Sequence, residues 1–100
     1  MDEFVLTELA EQDLNDLWEY LAVRNLDAAD QTIQEIQDTL RGLAQKRLFG
    51  HPRTDLTDKP VLFKFVHERY ALIYRADRTP LVVICIAGAT QDLSAILEVR

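Results

Sequence analysis

The sequence predicts an α+β fold: an N-terminal strand, then an antiparallel helical hairpin packed on a small, mainly antiparallel sheet. Three observations carry that prediction. Two long stretches between residues 7 and 44 place apolar side chains at steps of three and four. Three short runs between residues 61 and 87 are rich in β-branched and aromatic residues. Connections of only a few residues within each group make consecutive elements neighbours in space.

Phe4, Val5 and Leu6 form a short apolar run that reads as the first strand. Thr7 then offers an N-cap hydroxyl, and Glu8 and Glu11 fall in the next turn, where acids suit a helix N-terminus. Leu14, Leu17, Trp18 and Leu21 follow at helical spacing, flanked by Ala10 and Ala22. Asp13, Asn15, Asp16 and Glu19 occupy the opposite face. This predicts an amphipathic helix over 7–23, with Trp18 as a core anchor and the acids in solvent.

Asn25 and Asp27 cap a second helix, whose stripe runs through Ala29, Ile33, Ile36, Leu40, Leu43 and Ala44. Lys46 and Arg47 near its end suit the negative pole of the helix dipole. The short link between the two helices implies an antiparallel hairpin. Gly50-His51-Pro52 opens a loop running to Pro60. Val61–Val66 and Arg69–Arg75 then read as strands, and Leu81–Ala87 is apolar throughout, as a strand buried on both faces would be. Gly88 ends that strand, and 91–98 fits one short helix. The whole chain, 1–100, reads as one domain in the order β-α-α-β-β-β with a short C-terminal helix.

Composition narrows the function. The longest apolar run is 81–87, far short of the ~20 residues that a spanning helix needs. Asp2 and Glu3 oppose the basic start of a signal peptide, and Cys85 is the only cysteine, so a cytoplasmic protein with no membrane partner is expected. Net charge is −6, but it is unevenly spread. Residues 1–40 hold eleven acids and one base, whereas residues 41–78 hold nine bases and four acids. That balance argues against a protein that grips nucleic acid over much of its surface, and leaves room for a local basic patch.

Motifs of strong chemical meaning are missing: there is no P-loop, no dinucleotide-binding glycine pattern, no HExxH and no paired cysteines. Cys85 reads as a small buried hydrophobe. His51 and His67 lie in loops without a predicted partner, and no carboxylates converge on a metal. No catalytic residue, metal or cofactor is therefore expected. Lys64 and Arg75 stand on otherwise apolar strand faces, which calls for a carboxylate, a phosphate or a sheet edge beside each. Trp18, by its size, is also a candidate where the hairpin meets a partner.

The residues in succession resemble a known family. Thr7-x-x-Ala10-x-x-Asp13-Leu14-x-x-Leu17-Trp18-x-Tyr20-Leu21-Ala22 is similar to the first-helix pattern of ParE toxins, in the RelE/ParE superfamily of bacterial toxin–antitoxin systems. Asn25-x-x-Ala28-Ala29 looks like the next block, Gly50-x-Pro52-Arg53 with Asp55-Leu56 resembles the loop, and 70–75 the central strand. The resemblance implies a non-enzymatic toxin that poisons DNA gyrase and is neutralised by a ParD-like antitoxin, with operator DNA reached only through that antitoxin. Contacts to antitoxin or target are then expected at Trp18, Arg53, Lys64 and Arg75. RelE-like members instead cleave messenger RNA on the ribosome with strand cations and a C-terminal arginine and tyrosine. Here Lys64 alone falls where a RelE strand lysine would be, Ala71 replaces an arginine, and residues 89–99 contain neither arginine nor tyrosine. That ribonuclease is the alternative, and a non-toxic antitoxin-binding member is a third. The chain also departs from a frequent ParE pattern after the last strand: 87–92 lacks the usual His and Arg.

Overall fold

The computed structural model describes residues 4–100. Its elements are β1 (Phe4–Leu6), α1 (Glu8–Ala22), α2 (Leu26–Ala44), β2 (Leu62–Val66), β3 (Tyr70–Arg75), β4 (Leu81–Gly88) and α3 (Leu93–Glu98), the α+β succession expected. Side chains that cannot join a helix comfortably begin each one. Thr7 Oγ1 accepts the Ala10 N–H at 3.1 Å, Asn25 Oδ1 that of Ala28 at 3.0 Å, and Asp92 Oδ1 that of Ala95 at 3.1 Å. At the other end of α2, Lys46 takes a left-handed φ of 62°. Its N–H reaches Leu43 O at 3.1 Å and that of Arg47 reaches Gly42 O at 2.9 Å, the paired bonds of a Schellman ending. Gly42 lies close under this ending, where a Cβ would meet the tip of the Leu48 side chain at 2.7 Å and push it aside.

The sheet has strand order β1-β4-β3-β2. β2, β3 and β4 form an antiparallel meander, while β1 pairs with β4 in parallel, from Phe4 opposite Leu81 to Leu6 opposite Val83. The helical hairpin thus carries the chain from one edge of the sheet to the other. Pairing along β4 is broken once. Ile73 opposes Cys85 and Tyr74 opposes Val83, so Ile84 is an extra residue without a partner on β3. The bulge reverses the alternation: Leu81, Val83 and Ile86 face the helices, whereas Cys85 and Ala87 face the other way.

Both faces of the sheet are consequently covered. Ala10, Leu14, Ile36, Leu40 and Leu43 from the helices pack on Val66, Leu72, Tyr74, Leu81, Val83 and Ile86. Behind the sheet, Phe63, Ala71, Ile73 and Cys85 meet Leu93 and Leu97 of α3, with Leu56 of the loop packed alongside. Lys59 Nζ donates to the Leu97 carbonyl and Ser94 Oγ to the Leu56 carbonyl at 2.5 Å, which ties the 51–60 loop to α3.

Two expectations fail on α1. Trp18 is not a core anchor: it is 36% exposed, and its indole N–H donates to Asp30 Oδ1 of α2 at 2.8 Å. The buried line through Ala10 and Leu14 reaches the sheet, and Trp18 has rotated off it towards the neighbouring helix. Asp13 does not point to solvent either. Its carboxylate turns inward to the open edge of β4, with consequences described below.

Candidate functional site

The structure does not gather the four expected contact residues into one site. Trp18 lies on the helical hairpin, above one face of the sheet. Arg53 lies in the loop that closes the opposite face, and its guanidinium forks onto Asp55 at 2.9 and 2.8 Å. Arg75 ends β3 and forks in the same way onto Asp77, at 3.2 and 2.7 Å. Those bonds hold the Asp55 and Asp77 carboxyls below the usual carboxylate range, with both pairs in solvent. Lys64 occupies the outer strand β2, between Leu62 and Val66 on the helix-facing side, and so meets the sheet-edge expectation. Ala71 is buried on the other side, so the two positions that a RelE-type cation cluster would use face opposite ways.

A recess opens where the helix-facing core reaches the surface. The C-terminal end of α2, the segment after it and the β3–β4 connection enclose a cleft of about 840 Å³. Its floor is apolar, made by Leu43, Leu62, Tyr74 and Leu81. One wall carries Lys46, Leu48 and Phe49, the other Arg78 and Pro80. The Tyr74 hydroxyl accepts the Gly50 N–H at 2.8 Å and pins the first wall to the floor. Burial pushes the Tyr74 hydroxyl above its ordinary pKa, although the Gly50 N–H acts in the opposite direction. Phe49 is 66% exposed, a large ring left in water beside an apolar hollow. Neither Lys46 nor Arg78 forms an ion pair with a described residue.

Sequence reasoning missed this cleft because its walls lie some thirty positions apart and meet only through the fold. A usable signal was present nonetheless. Leu48 and Phe49 follow a helix that has ended, in no strand pattern, directly after Lys46-Arg47.

A second recess, of about 550 Å³, lies beside α1 and has the opposite character: Asp16, Tyr20, Tyr70 and Gln91 are among its lining residues. Gln91 holds the departed 87–92 segment in place, its Oε1 accepting the Gly88 N–H at 2.6 Å. Beneath this recess Arg100 donates to Asp13 Oδ2 at 2.8 Å, to Asp13 Oδ1 at 3.0 Å and to the Ile84 carbonyl at 2.7 Å. Asp13 Oδ2 in turn accepts the Ile86 N–H at 3.0 Å. The Ile84 bulge leaves these two β4 backbone groups beyond the reach of the short β1, and the ion pair satisfies both. Cys85, between them, has its thiol pushed up to about 11, by burial first and then by the Asp13 charge. It offers no nucleophile near neutral pH. Among the described residues, no three His, Cys, Asp or Glu side chains are placed to hold a metal. Among the same residues, no helix is long and apolar enough to cross a membrane.

Comparison with known proteins agrees with this architecture. The family model described as "ParE toxin of type II toxin-antitoxin system, parDE" matches residues 4–93. A chain of the chromosomal ParDE TA system from P. aeruginosa superposes with a TM-score of 0.71 at 18% identity, over 88% of this chain and 96% of that one. At that identity the likeness speaks for the fold alone. No curated protein matches the sequence significantly.

Proposed function

The chain belongs to the ParE toxin family of type II toxin–antitoxin systems, and from that premise we propose that it is neutralised by a cognate ParD-like antitoxin and acts by inhibiting DNA gyrase. The observation that carries the reading is the family match over residues 4–93 on a fold of the same order. The proposal is of a binding toxin without catalysis of its own. RNA cleavage of the RelE kind must stabilise charge on a phosphate and move protons. Lys64 on one sheet face and Ala71 on the other supply no such cluster. Trp18, Lys64, Arg53 and Arg75 remain proposed contacts to antitoxin or target.

Purified protein should inhibit gyrase supercoiling, or trap gyrase on cleaved DNA, while leaving messenger RNA on translating ribosomes intact. Lys64→Ala should leave that activity largely in place. Ribosome-dependent cleavage abolished by Lys64→Ala would overturn the assignment in favour of the ribonuclease. One observation favours a second reading: the 87–92 segment lacks the frequent His and Arg. Inactivity in both assays with antitoxin binding kept would identify a non-toxic member.

A further inference from the structure

We propose that the cleft between the end of α2 and the β3–β4 connection is the antitoxin's anchor site, taking large apolar side chains from an acidic segment. This deepens the reading above and rests on it. The cleft of about 840 Å³ lies within the ~300–1,000 Å³ of typical ligand pockets, so it has room for more than one large side chain. Leu43, Leu62 and Leu81 supply an apolar floor whose contact with water is relieved only by an occupant. Phe49 stands at the rim, largely in solvent, where it would close over an inserted side chain. Aromatic groups in such positions contribute disproportionately to binding.

Charge decides the kind of partner. Lys46 and Arg78 face the cleft from its two walls, and its lining contains no acid. Elsewhere in the basic stretch Arg41, Arg53 and Arg75 are held by Asp38, Asp55 and Asp77. An apolar anchor flanked by carboxylates matches both floor and walls. The second recess, whose lining carries Asp16 and no cation, would repel the same segment.

The test uses the neighbouring-gene product whose co-expression restores growth to cells making this chain. Its affinity is measured for the wild type and for Phe49→Asp, Arg78→Glu and Val23→Asp. All three positions are exposed, so folding should persist, and circular dichroism checks that it does. Phe49→Asp and Arg78→Glu should each weaken binding at least tenfold, while Val23→Asp at the hairpin tip stays within twofold. Arg78→Glu should act largely on association, which in the wild type should slow as salt rises. Exchange of one antitoxin acid for arginine should restore binding to Arg78→Glu. Tight binding unchanged by both cleft variants overturns the site and leaves the antitoxin reading standing. A self-association of the free chain that Phe49→Asp dissolves would overturn it in favour of a second copy. If no neighbouring product restores growth or binds, both readings fall together.

Discussion

Asp13 and Cys85 owe their properties to the same few ångströms of β4. The Asp13–Arg100 pair is largely buried, with side chains 19% and 13% exposed, and it satisfies two backbone groups as well as itself. Removing one partner leaves the other charge and a strand-edge group unmatched. Arg100→Ala should therefore cost about 2–3 kcal/mol in urea unfolding, less than for a fully buried pair. At Cys85 burial favours the neutral thiol, so the folded state holds that proton more tightly than the unfolded chain does. The sign follows directly. Stability from this source is complete below the ordinary thiol range and is lost as pH rises towards about 11. Tyr74, also raised by burial, acts in the same direction. Urea midpoints should fall between about pH 8 and about pH 10.5, and less so in Cys85→Ala. Alkylation of folded protein at about pH 8 should be far slower than of unfolded protein.

At the scale of elements, caps and stripes were legible and orientation was less so. Thr7 and Asn25 each start a helix as their side chains promise, and the Ile36–Leu40–Leu43 line of α2 is buried throughout. The α1 stripe was read too broadly. Leu17 only packs at the margin of the core that Leu14 enters, and Trp18 leaves it for Asp30. Helical spacing identifies a face but not where a neighbouring helix cuts it off. The two positions should respond unequally: Ile36→Ala should cost about 3–4 kcal/mol and Leu17→Ala roughly half of that, read from denaturation midpoints. The turns store local strain. Lys46, His67 and Glu68 all have positive φ, at 62°, 53° and 57°, where glycine or asparagine is usual. Lys46→Gly and Glu68→Gly should each raise stability by up to about 1 kcal/mol if backbone strain dominates. Lys46→Gly should at the same time weaken antitoxin binding, since it removes one cation from the cleft.

For the molecule as a whole, the order and type of elements follow from periodicity, while the surfaces that bind follow from pairings that periodicity does not record. The parallel pairing of β1 with β4 was not written in three apolar residues. Nor was the bulge at Ile84, since Leu81–Ala87 is apolar at every position and carries no alternation to interrupt. Arg75 is a candidate contact as a charge on an apolar strand face and Arg53 through the loop block of the resemblance, yet each is answered by an acid two residues along the chain. A cation's neighbours in sequence can thus settle it locally. Lys46 and Arg78 belong to the basic stretch legible in the sequence, but only folding sets them on facing walls of one cleft.

The clasp between Arg100 and Asp13 also carries a kinetic meaning. It joins positions 87 residues apart, and its two backbone partners exist only once β4 has bulged against β3. Closing so long a loop brings its reward after most of the sheet has formed. The clasp should therefore form in the final descent into the native state rather than in the folding nucleus. Arg100→Ala should leave the refolding arm of a chevron nearly unmoved and raise the unfolding rate by roughly 30-fold for a loss of about 2 kcal/mol. The contact acts as a latch on how long the folded toxin persists, with little influence on how quickly it forms.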